Sequence, residues 1–168
     1  MHLNDLCDLR GEVIITATDD SGSKILVDDK NLIVLNGRKK VAEHMLSGSG
    51  AYISNIAFGS NGTAIGDPNQ IRQVLPTETT ITPIAGLSLG VDYTFTVDSS
   101  SLLISDARPK LVYIINIPKT STVLNGKSIN ELALLLSTDP ATAFAIKRFA
   151  TIVKSESIAL NITWTVYF

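Results

Sequence analysis

The stretch of sequence that decides the fold spans residues 158–168 and reads Ile158-Ala159-Leu160-Asn161-Ile162-Thr163-Trp164-Thr165-Val166-Tyr167-Phe168. Its even positions all carry large apolar side chains, and its odd positions carry mostly polar ones. This strict alternation, in residue types that are largely β-branched or aromatic, predicts a strand with one buried face. A shift of one residue in its pairing would turn every large apolar side chain toward solvent, so we expect the register to be fixed.

Other segments with strand character precede this one. Residues 13–18 and 24–27 flank the turn sequence Asp19-Asp20-Ser21-Gly22, which predicts a hairpin. Alternation predicts a further strand at 91–97, and apolar runs predict strands at 52–58 and 144–149. Residues 111–117 are almost wholly apolar and lie between two prolines, as expected of a central strand buried on both faces.

The segment 130–136 allows two interpretations. Its Leu, Ala and Glu residues are good helix formers. It is short, however, and the breaker sequence Ser137-Thr138-Asp139-Pro140 follows it, so we interpret it as a strand. With this assignment the sequence predicts a mainly β protein, an antiparallel β-sandwich that forms a single domain over residues 1–168.

One short helix is predicted at about residues 37–47. Asn36 has the side chain of an N-cap residue, and Gly48 can adopt the left-handed conformation that ends a helix. The apolar residues of the segment would share the helix face that packs on the sheet, namely Val41, Ala42, Met45 and Leu46.

A long loop is predicted at about residues 60–87. This stretch is rich in glycine, proline and threonine and shows little periodicity. A loop of this length within a compact domain is usually functional or reaches toward another molecule. We therefore expect it to contact neighbouring subunits.

The chain carries few charges for its size. Charged residues make up 18% of it, against about 25% in average soluble proteins, and its mean hydropathy is +0.25. A free monomer of this composition would expose more apolar area than soluble proteins usually tolerate. Either part of the surface is buried against neighbouring subunits, which is our preferred interpretation, or the protein has a large and well-packed β core.

The charge balance and the cysteine content exclude several classes of function. A formal net charge of −2 and a pI of about 5.6 give no electrostatic basis for binding nucleic acid or an anionic membrane. The single cysteine, Cys7, excludes an intrachain disulfide and a cysteine-based metal cluster. No apolar run approaches the roughly 20 residues of a membrane span, and the first residues lack the layout of a signal peptide. We therefore expect a protein made in a reducing cytoplasm.

No catalytic, cofactor-binding or metal-binding residues are predicted, and the protein is not expected to be an enzyme. The histidines are His2 and His44, and Cys7 has no evident basic partner nearby in sequence. The glycine-rich stretch 59–63 lacks the Lys-Ser/Thr pair of a phosphate-binding loop and is interpreted as a turn.

The carboxylates show no constellation suited to catalysis or metal binding. Glu131 and Glu156 look like isolated residues with no partner for acid–base work. The spacing of the aspartates near the first hairpin does not match a calcium-binding EF-hand loop, and acidic hairpin tips are the commoner explanation for Asp19, Asp20, Asp28 and Asp29.

Two stretches, taken together, resemble a known group of proteins. The first is residues 52–64, Tyr-Ile-Ser-Asn-Ile-Ala-Phe-Gly-Ser-Asn-Gly-Thr-Ala, followed by Leu75-Pro76-Thr77-Glu78. The second comprises residues 129–135, residues 144–149 with the sequence Phe-Ala-Ile-Lys-Arg-Phe, and the closing residues 164–168. This arrangement resembles small structural proteins of tailed bacteriophages and the virion-attachment domains at the start of some phage tail fibres. In those proteins a strand ending in a glycine-rich turn precedes a long loop, an Asn-Glu-x-Gly-Leu strand pairs with an Arg-x-Phe strand, and an alternating strand closes the sheet.

The resemblance covers about residues 31–168 and implies a place in a virion. Ala133 departs from the pattern, which usually has glycine there. Because no shaft sequence follows Phe168, the resemblance implies a free-standing adaptor of the tail, baseplate, neck or collar. Its expected partners are copies of itself and other phage structural proteins, with no nucleic acid or membrane, and it would assemble in the host cytoplasm as a homo-oligomer. Contacts are expected from the 60–87 loop and from the edges of the C-terminal strand.

Two other classes of function stay open at this point. One is a small β-sandwich module that binds carbohydrate or a host-surface ligand through exposed aromatic rings. Trp164 falls on the apolar face of its strand, which argues against it, but Tyr52, Tyr93, Tyr113 and Tyr167 could serve. The other is a hydrolase on a β scaffold, which would need a carboxylate pair or a triad created by the fold.

Overall fold

The computed structural model describes residues 9–48, 52–60, 81, 83–99, 109–137 and 139–168. This part of the chain is mainly β, with one helix and two antiparallel sheets, as an antiparallel β-sandwich requires. The predicted fold class is therefore confirmed. In chain order the elements are β1 (Arg10–Asp19), β2 (Gly22–Ile33), α1 (Leu35–Ser47), β3 (Ile53–Gly59), β4 (Thr94–Asp98), β5 (Lys110–Ile117), β6 (Ser128–Leu136), β7 (Asp139–Val153) and β8 (Ala159–Tyr167).

Strand β2 joins the two sheets. The strands follow the order β3-β6-β7-β2-β1-β8-β5-β4. Along most of its length β2 pairs with β1 in the first sheet, which also holds β8, β5 and β4. At its C-terminal end Leu32 and Ile33 pair instead with Ile146 and Ala145 of β7, in the second sheet. Strand β2 therefore belongs to both sheets and connects them at one side of the sandwich.

Strand β8 lies in the interior of the first sheet, between β1 and β5. Its burial alternates without a break, and Trp164 is completely buried. Ile162 lies between Ile15 of β1 and Ile115 of β5, so three isoleucines form one buried row across the sheet. The predicted half-buried strand is confirmed, and its fixed register stays a prediction. A shift of one residue would break the pairing of β8 with β1 and with β5 at once, which is the physical reason to expect a fixed register.

The predicted hairpin is confirmed at the junction of β1 and β2. Oδ1 of Asp19 accepts hydrogen bonds from the backbone N–H groups of Ser21 and Gly22, at 2.7 and 3.1 Å. Gly22 has a φ of 135°, which residues with a side chain rarely adopt. The side chain of Asp19 and the freedom of Gly22 together define the turn.

The prediction that residues 111–117 are buried on both faces is wrong. Strand β5 lies between β8 and β4, but Ile114 and Asn116 face solvent, whereas Ile115 and Ile117 are completely buried. Nothing in the described residues covers the outer face of the first sheet. The apolar outward residue Ile114 therefore made a half-buried strand look fully buried in sequence.

The strand predicted at 91–97 is shorter than expected. A turn precedes it, in which the N–H of Asp92 donates to the carbonyl of Ser88 at 2.8 Å and that of Gly90 donates to the carbonyl of Tyr93 at 2.8 Å. Strand β4 consequently begins at Thr94, and the side chain of Val91 is 78% exposed. The apolar and polar side chains of Val91 and Asp92 extend the alternation seen in the sequence, although both residues belong to the turn and not to the strand.

Helix α1 begins two residues before its predicted start and is not capped by Asn36. Its N-cap is Val34, which makes no side-chain capping bond. The N–H of Val34 donates to the carbonyl of Phe144 in β7 at 3.1 Å, so the sheet pairing of β2 runs directly into the helix. The predicted C-terminal stop is confirmed, because Gly48 has a φ of 66° and its N–H donates to the carbonyl of His44 at 2.8 Å.

The predicted packing face of α1 is also wrong. Val41 is half-buried against the core, but Ala42 is exposed and Met45 and Leu46 are 74% and 90% exposed. The helix meets the sheet near its start instead, where a Cβ on Gly37 would lie 2.3 Å from the carbonyl oxygen of Phe144. This close approach fixes the first turn on β7 and leaves the last turn off the core.

Residues 130–136 form most of β6, which is a strand, as interpreted from the sequence. Strand β6 lies between β3 and β7 in the second sheet. Residues 131–136 are all buried. Burial on both sides, together with ladders on both edges, overrides the helix propensity of its leucines.

Candidate functional site

The long loop predicted at 60–87 lies mostly outside the described residues, which include Ser60, Ile81 and residues 83–87 of it. Its final part runs along the outer strand of the second sheet. Pro83 forms a bridge with Gly59 of β3, and the N–H of Ile84 donates to the carbonyl of Phe58 at 2.7 Å. The expectation that this loop contacts neighbouring subunits stays a prediction.

Beyond this point the chain connects the outermost strands of the two sheets. The ring of Tyr93 meets that of Phe58 edge-on, with centroids 5.5 Å apart, and its hydroxyl donates to Oδ1 of Asn55 at 2.5 Å. Burial raises the pKa of Tyr93. Because Tyr93 directly precedes β4 and Phe58 lies on β3, these contacts close the side of the sandwich opposite β2.

The C-terminal strand has no free edge, so the expectation that its edges contact neighbours is wrong. Both of its ladders are taken, one by β1 and the other by β5. The open edge of the first sheet belongs to β4, since no described strand pairs with its outer side. Val97 in that strand is 48% exposed. The outward residues of β8 are half-buried and polar, namely Asn161, Thr163, Thr165 and Tyr167.

An exposed apolar group lies where α1 ends and β3 begins. It consists of Met45, Leu46 and Tyr52, which are 74%, 90% and 70% exposed, and we call it the helix-end group. Large side chains of this kind gain free energy when they are removed from water. Single exposed apolar residues are ordinary, but three near one junction suit an interface.

A groove of about 480 Å³ opens between the β1–β2 hairpin and the end of β7. It lies on the side of the hairpin tip, far along β2 from the residues that pair with β7. Its lining includes the charged residues Asp19 and Lys24, with serines and apolar side chains around them. No carboxylate pair, histidine or cysteine lines it.

The interpretation of Glu131 as an isolated carboxylate is wrong. Its side chain is completely buried, and its Oε2 lies 2.9 Å from Nε of Arg148 on the neighbouring strand β7. On the other side it lies against Gly59 of β3, where a Cβ would be 2.4 Å from Cγ of Glu131. The partner of the carboxylate is a cation, so the arrangement is a buried ion pair and not an acid–base pair.

A second buried charge was missed by sequence reasoning altogether. Lys154, just after β7, has a relative exposure of 0%, and its Nζ donates to oxygens of the segment 119–125 and of its own neighbour. No carboxylate of the described residues lies within ion-pairing distance of it. The acceptors are the carbonyls of Ser121 at 2.9 Å, Ser155 at 3.3 Å and Lys119 at 3.4 Å, and Oδ1 of Asn125 at 2.8 Å.

This lysine cluster fixes a turn that has no regular structure of its own. The carbonyl of Lys154 accepts the N–H of Gly126 at 2.9 Å, and Gly126 has a φ of 71°. Burial lowers the pKa of Lys154, an effect that the negative charge of Glu156 partly opposes. No sequence signal marks the cluster, since a lysine between a strand and a serine-rich turn resembles a solvated residue.

Several other titratable residues named from the sequence lie apart from these two clusters or outside the described residues. His44 is exposed on α1, and His2 and Cys7 lie outside the described residues. Asp20 and Asp29 form exposed ion pairs with Lys119 and Lys147. Among the residues that the structure describes, no group of three or more His, Cys, Asp or Glu side chains is placed to hold a metal ion.

Comparisons with known proteins found no relative of this chain. No family model, no curated protein and no solved structure matches it. In the described part of the chain, no helix has both the length and the apolar character needed to span a membrane.

Proposed function

We propose that this chain is a non-enzymatic structural protein of a tailed-phage virion. It acts as an assembly or adaptor subunit of the tail, baseplate, neck or collar. Its partners are further copies of itself and other structural proteins of the particle. It assembles in the cytoplasm of the host.

The observation that carries the proposal is the meeting of three motif segments at one point of the second sheet. Gly59 ends β3, and Glu131 belongs to the Asn-Glu segment of β6. Arg148 belongs to the Lys-Arg-Phe segment of β7, which departs from Arg-x-Phe because the arginine directly precedes the phenylalanine. Gly59 pairs with Glu131, and Glu131 pairs with Arg148. The phage proteins that the sequence resembles pair their Asn-Glu and Arg-x-Phe strands in the same way, so this arrangement supports the resemblance.

The helix-end group supports the assembly part of the proposal. An apolar group that the fold leaves in water gains free energy by packing against another protein. The low share of charged residues in the chain, 18%, is in line with a surface that becomes partly buried on assembly.

The burial of the aromatic residues disfavours the alternative of a carbohydrate-binding module. Trp164, Tyr93 and Tyr113 have relative exposures of 0%, 4% and 4%, so their rings are not available for stacking on a sugar. Tyr167 is half-buried and its hydroxyl donates to Glu12 at 2.9 Å. Of the candidates named from the sequence, Tyr52 alone is exposed.

Two measurements test the proposal together. Analytical ultracentrifugation over a wide concentration range should show self-association, and the variant Leu46→Lys in the helix-end group should weaken it by at least tenfold. The matched control is Val91→Lys, at an apolar residue that is 78% exposed and does not belong to the helix-end group. Mass spectrometry of particles purified from a host that carries the gene should detect the chain as a component.

A strict monomer at every concentration, together with its absence from purified particles, would contradict the proposal. A specific hit on a glycan array that is lost in Tyr52→Ala would instead support the binding-module alternative. Equal weakening by Leu46→Lys and Val91→Lys would show that the association does not use the helix-end group.

A further inference from the structure

We propose that Lys154 and Asn125 become joined by an isopeptide bond inside the folded protein. The two side chains already touch, with Nζ of Lys154 lying 2.8 Å from Oδ1 of Asn125. Lys154 is completely buried, and the contact lies beneath the turn that precedes β6. The contact is a hydrogen bond from Nζ to Oδ1, which holds the lysine nitrogen beside the amide group whose carbon it would attack.

The reaction balances without a further reagent. The lone pair of the neutral Nζ attacks Cγ of Asn125, the Nζ–Cγ bond forms, and the Cγ–Nδ2 bond breaks. One proton moves from Nζ to Nδ2, which leaves as ammonia. The product is a secondary amide, and nothing is oxidised or reduced. Burial favours the neutral amine that the attack needs, since it lowers the pKa of Lys154.

The leaving group is the part of the site that the fold leaves unsatisfied. Nδ2 of Asn125 is buried and has no hydrogen-bond partner among the described residues. An orphaned buried donor destabilises a protein, so its departure as ammonia relieves that cost. After the reaction the one remaining N–H on Nζ can still donate to the carbonyl of Ser121, which lies 2.9 Å away.

The mass of the intact, purified protein tests the bond directly. The expected result is a population lighter than the sequence mass by one molecule of ammonia. Trypsin should then fail to cut after Lys154 and should release one branched peptide in which residues 120–127 are joined to residues 149–168. A protein with the full sequence mass would overturn the proposal, whatever the behaviour of any variant.

The peptide map also separates the bond from ring closure at Asn125-Gly126, which loses ammonia as well. Ring closure uses the backbone nitrogen of Gly126, which the fold holds in a hydrogen bond to the carbonyl of Lys154 at 2.9 Å. It would leave cleavage after Lys154 intact and would give no branched peptide. That result would overturn the proposal.

Two variants complete the experiment. Asn125→Ala and Lys154→Arg should both have their full sequence masses, and a loss of ammonia that persists in either variant would overturn the proposal. The inference does not depend on the proposed function, because it is read from the mass of the isolated chain and not from assembly.

Discussion

Arg148 lies in β7 and Lys154 directly follows that strand, and their charges are compensated in different ways. Arg148 has a carboxylate partner, Glu131, whose side chain is fully buried. Lys154 has four oxygen acceptors and no carboxylate among the described residues that form ion pairs. Before the proposed bond forms, the charge of Arg148 is balanced by another charge and that of Lys154 by the dipoles of a turn.

Because of this difference, different changes should destabilise the two regions. The ion pair depends on two side chains of neighbouring strands, so removing either one leaves a buried charge without its partner. The lysine cluster depends on the backbone of residues 119–125, so it holds only as long as that turn keeps its shape. Lys154 donates hydrogen bonds to the oxygens of the turn, and these oxygens are the acceptors that its buried Nζ needs. The order of the turn is therefore coupled to a single side chain.

Breaking the ion pair should have the largest effect. Glu131→Ala leaves Arg148 buried beside a cavity, and we expect the free energy of unfolding to fall by about 3–5 kcal/mol. Urea denaturation measures it. The control Glu43→Ala, at an exposed carboxylate paired with Lys40, should cost less than about 1 kcal/mol. Equal losses in the two variants would show that burial of the pair is irrelevant.

Removing the buried lysine should have the next largest effect. Lys154→Met keeps the length of the side chain but leaves the acceptors of residues 119–125 without their donor, and we expect a loss of about 3 kcal/mol. Hydrogen exchange should show faster exchange of the amides of Ser121 and Asn125 within the turn. Lys127→Met, on the exposed side of the same turn, serves as the control, and unchanged exchange in Lys154→Met would contradict the coupling.

Crowding the ion pair without altering its charges should cost less. Gly59→Ala places a Cβ against Glu131, where 2.4 Å separates it from Cγ, and overpacking of this kind costs about 1–3 kcal/mol. In the double variant with Glu131→Ala the clash with Glu131 disappears and only the approach to Cγ1 of Ile81, at 2.7 Å, remains, so the two losses should add only in part. Fully additive losses would mean that the contact with Ile81 or the backbone of Gly59 sets the cost, and not the room beside Glu131.

The smallest effect is expected for an exposed ion pair. The hydrogen bond from Lys147 lowers the pKa of Asp29 from its ordinary value of 3.8, but the carboxylate is 62% exposed. Its contribution is present above the ordinary value and is lost as the pH falls through the lowered one. Asp29→Asn should therefore cost about 0.2–1 kcal/mol at neutral pH and nothing in strong acid. A loss that persists in acid would point to packing.

Local patterns in the sequence predicted the strands well. The alternation of residues 158–168 and the turn at Asp19 follow from local rules, and both are confirmed. The helix start was missed because Val34 continues a hydrogen-bond ladder from a distant strand, which no local capping rule can show. The helix face was misjudged for a related reason, since the contact of Gly37 with Phe144 tilts the packing toward the first turn.

The candidate sites were less predictable because they depend on pairing between strands. Glu131 meets Arg148 through a ladder with several register shifts, so the spacing of the two residues carries no signal. Lys154 reaches residues 119–125 through the tertiary fold alone. Its neighbours in sequence are those of an ordinary exposed turn, which is why its burial was unforeseen.

The interior position of β8 has a consequence for how the protein is made. Arg10 pairs with Tyr167, so the edge of β1 that faces β8 stays unpaired until residues 159–167 have been synthesised. Until then the facing edges of β1 and β5 are unpaired and display isoleucines that later form the buried row. Such distant pairing closes slowly and favours association between unfinished chains. We expect the yield of soluble protein to fall steeply when synthesis outpaces folding, and slower expression at low temperature to restore it.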